Sequence, residues 1–296
     1  MKKLTFGLFA LMIPAFAADI SALHRQVLYT QVRVRTDKAG GSGTVVWSQK
    51  AGDFYSTYVL TCHHVIDSAL MVTTEWDSLL QRDRKQEKRS PVMVEFFNWA
   101  GVPHGKPPLT IGSLADIVAY NAKHDMALLH LKLAQPPIVA QSLSPGRIKE
   151  VVIGTSAVAV GCALLHDPIL TTGIVTHQGD IIDYADYWMS NAQIIFGNSG
   201  GGMFVQLADN YFFVGIPSRV AVTGWSNAVT HLGYFSPINR IYDFYREQVF
   251  DFLTPGSLRT EAQCAADRDA KRKLEDRKQL SLPLPTQAKL EKEPEL

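Results

Sequence analysis

Residues 196–205 read FGNSGGGMFV, and this stretch decides how the rest of the chain is read. Ser199 stands between Asn198 and a run of three glycines, Gly200 to Gly202, with Gly197 two places before it. A nucleophilic serine needs a tight turn that exposes its hydroxyl. It also needs backbone N–H groups aimed at the oxygen that becomes negative during acyl transfer. Glycines on both sides permit such a turn and keep side chains away from the reacting carbonyl. A glycine-rich turn between two strands would read the same way, so the string requires partners elsewhere.

Working outward, two further strings supply them. Leu60-Thr61-Cys62-His63-His64-Val65 ends an apolar run that reads as a strand, where a rigid scaffold can hold a histidine. His124-Asp125-Met126-Ala127-Leu128-Leu129 leads an aspartate straight into a second apolar run. A histidine can take the serine proton and return it to the leaving amine. A buried aspartate holds the imidazole in the required tautomer and stabilises its charged form. The order along the chain is histidine, aspartate, serine, with His63 and His64 competing for the first role.

The surroundings of these strings are short β-runs. Val27–Arg35, Gly43–Trp47, Tyr58–Thr61, Val92–Phe97, Ile117–Tyr120 and Met126–Leu133 precede a proline-bearing connection at Pro136-Pro137 and Pro145-Gly146. Val151–Val160, Gly173–Gln178, Trp188–Ile194, Met203–Leu207, Phe212–Ile216 and Leu232–Phe235 follow it. About six strands on each side predict an all-β protein of two small antiparallel barrels or sandwiches. Composition agrees: of 296 residues, 46% are hydrophobic and 19% charged, which excludes a disordered or fibrous chain. Lys+Arg number 29 against Asp+Glu 28, so no global basic excess points to nucleic acid. Three cysteines are too few for a disulfide scaffold and leave at least one thiol unpaired.

Three segments stand apart. Lys2-Lys3, the apolar run Leu4–Phe16 and the small-x-small triplet Ala15-Phe16-Ala17 read as an export signal over residues 1–17, with the mature chain starting at Ala18. That predicts a periplasmic or extracellular protein with no stable membrane insertion after cleavage. Residues 75–91 are polar and basic and read as a surface insertion with a helical turn at Trp76–Leu80. Beyond Pro237, apolar residues at Ile238, Ile241, Tyr242, Tyr245, Val249 and Phe252 mark an amphipathic helix docking on the body. Pro255-Gly256 stops it, and Thr260 with Gln263 can form a capping box for a second helix to about Leu280. Its charge predicts poor packing or none, over a disordered end at residues 282–296. The 257–280 helix could serve as a contact for a partner or a second copy.

Taken together, the motifs resemble the chymotrypsin-fold serine peptidases, and among them the bacterial HtrA/Deg-like and other secreted trypsin-like enzymes. The family's T-x-x-H-V is met at Thr61–Val65, its D-hydrophobic-A pattern at Asp125–Leu129, and its G-N-S-G-G at Gly197–Gly201. Gly41-Ser42-Gly43-Thr44, Thr172–Val175, Val214–Ile216 and Phe235–Asn239 match flanking features. The resemblance spans roughly residues 27–253. It implies two six-stranded antiparallel barrels of the chymotrypsin type, the first at 18–136 with the histidine and aspartate. The second, at 137–253, holds the serine and the C-terminal α-helix, and 254–296 is a charged helical and disordered tail. It implies a secreted serine endopeptidase acting on polypeptides, with His64 as general base, Asp125 as orienting acid and Ser199 as nucleophile. The N–H groups of Gly197 and Ser199 would form the oxyanion hole. A non-catalytic binding or assembly module on the same fold is the competing expectation, and an esterase a third.

The departures shape the remaining expectations. No Ile-Val-Gly-Gly-like start is present, and the span after residue 253 leaves no room for a PDZ domain. None of the cysteines fits a family disulfide. Gly202 replaces the usual proline after the motif, which reads as a slightly looser turn. For the pocket, Gln193 stands where an aspartate would attract basic residues, and Ser218, Arg219 and Val220 lie on the strand that pairs with substrate. These predict cleavage after small or medium uncharged residues. Ser218 also suits a hydrogen bond to the aspartate. Neither metal nor cofactor is expected: His24, His104, His124, His130, His166, His177 and His231 show no ligand-like spacing.

Overall fold

The computed structural model describes residues 22–77, 82–99, 106–223 and 227–281. The expected export signal, His104 and the end of the chain from 282 lie outside these residues. Eight strands form the first half: β1 (Gln31–Arg35), β2 (Gly40–Ala51), β3 (Phe54–Thr61), β4 (Leu70–Asp77), β5 (Arg82–Arg89), β6 (Val92–Asn98), β7 (Leu109–Asn121) and β8 (Met126–Leu133). Six more form the second: β9 (Ser156–Gly161), β10 (Ile169–Ile182), β11 (Ala185–Ser190), β12 (Gly202–Leu207), β13 (Asn210–Thr223) and β14 (Asn227–Pro237). Two closed antiparallel barrels result, ordered β1-β2-β3-β8-β7-β6 and β10-β11-β14-β13-β12-β9. Closure decides between the two expected architectures in favour of barrels, and it removes the unpaired edges a sandwich would leave.

The strand period of two explains how the barrels meet. On β9, Ala157 and Ala159 join the core inside the second barrel, while Val158 and Val160 join the cluster shared with the first. On β12 the same alternation sends Met203 and Val205 inward and Phe204 across the interface. Phe204 and Phe213 meet there edge to face, 5.6 Å between ring centres. These strands are apolar on both faces because both faces are buried.

The first strand is shorter than its alternation suggests: Leu28–Thr30 is a turn of 3-10 helix, and pairing begins only at Gln31. The described part of the polar insertion is paired strand rather than a loop, and residues 78–80 of the expected helical turn lie outside the described residues. β4 and β5 pair in register from Leu70 opposite Arg89 to Asp77 opposite Arg82. Its base is tied to β7, with Arg89 donating to the Ile117 carbonyl at 2.9 Å and Tyr120 hydrogen-bonded to Glu87. The alternating β-branched and aromatic residues Val72, Thr74 and Trp76 suit a strand better than a helix.

Helix α1 (His63–Ile66) is a single turn following β3, and α2 (Ile238–Glu247) follows β14. Ile238, Ile241, Tyr242 and Tyr245 are buried on one face of α2 as their spacing predicts, and Tyr242 donates to the Leu143 carbonyl at 2.5 Å. Helix α3 (Glu261–Ser281) corrects the expectation that it packs poorly. Its capping box forms, with Thr260 N–H donating to Gln263 Oε1 at 2.9 Å and Gln263 N–H to Thr260 Oγ1 at 3.2 Å. The first two turns then dock on the outside of the first barrel. Cys264 is fully buried, and the Arg268 guanidinium lies 3.8 Å from the ring centre of Phe250. Glu261 Oε1 accepts from Tyr58 OH at 2.7 Å and from Ser56 Oγ at 2.8 Å, and Ser56 Oγ also meets His130 Nε2 at 2.9 Å. Few apolar residues are needed because the charged side chains of Glu261 and Arg268 carry much of the contact.

Replacing Glu261 by alanine leaves two partly buried hydroxyls without their acceptor. Glu261→Ala is expected to lower stability in urea unfolding by about 1–3 kcal/mol. Lys271→Ala, on an exposed part of the same helix, is expected to fall within about 0.5 kcal/mol of wild type. Equal effects would refute the docking.

Candidate active site

His64 sits in the single turn of α1, held by the end of β3, where Thr61 Oγ1 donates to the Ser42 carbonyl at 2.7 Å. Asp125 precedes β8 in a left-handed conformation, φ 52°, which aspartate tolerates better than most residues. Its carboxylate is the junction of the site. His64 Nδ1 lies 2.9 Å from both oxygens, the His64 backbone N–H donates to Oδ1 at 3.0 Å, and Ser218 Oγ donates to Oδ2 at 2.5 Å. The Asp125 side chain is 13% exposed and that of His64 51%. Burial pushes the Asp125 carboxyl up, but the hydrogen bonds and charge of His64 and the bond from Ser218 outweigh it and hold it below the usual carboxylate range. The neighbouring His63 packs instead against Tyr120, with the rings tilted by 35° and their centres 5.2 Å apart. His64 Nε2 has no protein partner among the described residues.

Ser199 follows a turn in which Gly197 has φ 95° and Gly200 φ 82°. A side chain at Gly197 would put its Cβ 2.5 Å from the Cys162 carbonyl oxygen, and one at Gly200 would lie 2.3 Å from Thr61 Oγ1. Both positions therefore require glycine for conformation and for space. Among the described residues, neither the Gly197 nor the Ser199 N–H donates to a protein acceptor. Gly202 is not a looser substitute for proline: its N–H donates to Gln31 Oε1 at 3.1 Å, a bond proline cannot make.

A pocket of about 240 Å³ opens beside His64 and Ser199. Ile194, Ile195, Phe196, Pro217, Arg219 and Val220 contribute to its wall. Gln193 does not. Along 191–194, after the end of β11, Ala192 and Ile194 are buried while Asn191 and Gln193 are exposed, so Gln193 faces solvent. Ile194 takes the inward place and packs against Gly233, where a Cβ would lie 2.4 Å from Ile194 Cγ1. The Arg219 guanidinium pairs with Asp183 at 2.6 Å and lies 5.2 Å from the ring centre of Tyr187. The apolar triplet before Gly197 is the signal that could have identified this wall from sequence.

Cys62 Sγ, a His64 ring nitrogen and an Asp125 oxygen lie within 4.8 Å of one another. The set does not suit a metal ion. Burial, and then the Asp125 charge, push the Cys62 thiol well above its ordinary value, and it donates to the Pro217 carbonyl at 3.3 Å. A thiol held protonated is a poor ligand, and both carboxylate oxygens are already hydrogen-bonded. Cys62, Cys162 and Cys264 are all free and buried.

The chain matches the trypsin-like peptidase domain over residues 41–216, more than half its length. No curated protein is similar enough to match it. Among solved structures it is similar to the serine endoprotease from Yersinia pestis, at 18% identity and a TM-score of 0.53, over 78% of this chain and 67% of that one. It is similar also to the HtrA-type protease AlgW with tripeptide, at 18% identity and a TM-score of 0.53, over 80% of this chain and 64% of that one. At this identity the two structures speak to the fold, and the chain spans about two thirds of each. The domain match runs through the histidine, aspartate and serine segments, and the chain belongs to the trypsin-like peptidase family, the serine endopeptidases built on this double barrel.

Proposed function

We propose that the protein hydrolyses peptide bonds through an acyl-enzyme, with Ser199 as nucleophile, His64 as general base and Asp125 as its orienting partner. The observation that carries this reading is the Asp125 carboxylate, which holds His64 by Nδ1 and by the backbone and is itself held by Ser218. With Nδ1 on the aspartate side, Nε2 is the nitrogen left to act on the serine. Ser199 Oγ attacks the scissile carbonyl carbon as its proton passes to His64 Nε2. The carbonyl oxygen becomes negative and accepts from the unengaged N–H groups of Gly197 and Ser199. Collapse expels the amine, which takes the proton from His64, and water repeats the sequence to release the acid. The pocket lacks an acidic side chain and is narrowed by Ile194, which supports small or medium uncharged residues before the scissile bond.

Wild type is expected to form a covalent adduct with a fluorophosphonate, read by intact mass, and Ser199→Ala is not. In a mixed peptide library the wild type should cut after residues such as Ala, Val or Thr, with Ser199→Ala slower by about 10⁴-fold or more. A folded wild type that neither labels nor cleaves would leave the binding-module reading in its place. Robust cleavage after Arg or Lys would sink the pocket assignment.

The pH dependence follows from the sign of the Asp125 shift. Its folded-state value is depressed, so the stability its ionised form contributes is present above the unfolded value of about 4 and is lost as pH falls through the lower folded value. The gap in urea stability between wild type and Asp125→Asn should therefore stay level from neutral pH to about 4 and shrink below it. A gap already closing near pH 6 would contradict the assignment.

We propose further that the protein works outside the cytoplasm, supported by the Lys2-Lys3 head, the apolar run and the Ala15-Phe16-Ala17 triplet. Mass analysis of the protein recovered from an exporting bacterium should give a chain beginning at Ala18; a retained N-terminus would refute export by cleavage.

A further inference from the structure

Ser42 lies in β2 of the first barrel and is fully buried. Every polar group it has is engaged. Its Oγ donates to the Gly197 carbonyl at 2.5 Å and accepts from the Cys162 N–H at 2.6 Å. Its N–H donates to the Ser199 carbonyl at 2.9 Å, and its carbonyl accepts from Thr61 Oγ1 at 2.7 Å. Three of these bonds reach the second barrel, two of them to the turn that carries the nucleophile. The fourth reaches the end of β3, the strand that leads into His64.

The consequence concerns one peptide plane. The Phe196 carbonyl accepts from the Leu164 N–H at 2.7 Å. In a trans peptide the N–H points opposite to the carbonyl, so the Gly197 N–H is directed away from Leu164. The next plane, between Gly197 and Asn198, is held by the Ser42 hydroxyl. Leu164 belongs to the same short turn as Cys162 and has φ 50°, with Leu165 at φ 61°. Such consecutive left-handed leucines persist only where neighbours hold them, and the Cys162 N–H anchored on Ser42 Oγ is one hold.

We propose that Ser42 is a positioning residue for the oxyanion site: its hydroxyl ties the Gly197 turn to the Cys162–Leu165 turn and so sets the direction of the Gly197 N–H. Serine suits the place because one short side chain must both donate and accept. Space is tight there, as a Cβ on Gly161 would lie 2.7 Å from the hydroxyl. The proposal rests on the reading of Ser199 as nucleophile and Gly197 as oxyanion donor.

The test uses the full mature chain, wild type, Ser42→Ala and Ser42→Cys, with Ser199→Ala as the background. Kinetics on a peptide cut by wild type are paired with inhibition by a peptide boronic acid, whose tetrahedral adduct fills the oxyanion site. Ser42→Ala is expected to lower kcat by about 10-fold or more, within the roughly 10²–10³-fold that deleting a whole oxyanion donor costs. KM should change by less than about threefold, boronate affinity should fall in step with kcat, and Ser42→Cys should recover part of both. A purely structural serine would lower the melting temperature while kcat of the folded protein stayed within about twofold of wild type, and that result overturns the proposal. If Ser42→Ala does not fold, Ser42→Cys carries the test by the same criteria: a kcat loss with KM unchanged supports it, and a kcat within twofold overturns it. A wild type without Ser199-dependent turnover would overturn the underlying reading and this proposal with it, which the Ser199→Ala background distinguishes from the failure of Ser42 alone.

Discussion

A single carboxylate, nearly sealed from solvent, sets the terms for the whole molecule. Asp125 can stay ionised in that position because three donors meet it, two from His64 and one from Ser218. His64 follows β3 and Asp125 leads into β8, both in the first barrel, while Ser218 lies on β13 of the second. Neither barrel alone satisfies the charge. An ionised group with a donor missing would cost several kcal/mol in so buried a place, so the barrels must be joined in one orientation. The apolar interface of Val158, Val160, Phe204 and Phe213 supplies the general attraction, and the carboxylate supplies the alignment.

The turn around Ser199 is governed in the same way. Its backbone is held from the first barrel by Ser42 and from its own barrel by Leu164, while the N–H groups of Gly197 and Ser199 stay unengaged. Leaving two donors without partners costs stability, and serine chemistry needs such donors where negative charge develops. The left-handed glycines Gly197 and Gly200, the left-handed leucines and the left-handed aspartate gather within this small region.

The motifs were legible in the sequence because the chemistry restricts them to few residue types at short range. His64 and Ser199 line one pocket and His64 meets Asp125, and β8 runs over the expected residues. The apolar centres were the easiest part to read: β2 extends to Ala51, past the exposed polar pair Gln49 and Lys50, and β13 continues to Thr223 beyond the polar break at Ser218-Arg219. The β4–β5 hairpin was obscured by its charges, and α3 by the fact that Glu261 and Arg268, which bind it to the barrel, belong to types that usually mark a solvated face. Gln193 was misassigned by counting from the serine, whereas alternation along 191–194 points to Ile194. Ser42 could not be placed in its role from sequence, since its partners at Gly197 and Cys162 lie 155 and 120 residues away and no periodicity links them.

The docking of α3 sets a timetable for synthesis. Tyr58, on the outside of the first barrel, meets its partner Glu261 only 203 residues later. Phe250 and Phe252, which cover Tyr58 edge to face, arrive scarcely sooner. At about 5–20 residues per second, a ribosome leaves that aromatic face uncovered for roughly 10–40 s after its strand has been made. Over that interval the first barrel carries an unfinished surface, open to other nascent chains and to chaperones. The first two turns of α3 finish the first barrel rather than the second, so a segment made late covers one made early.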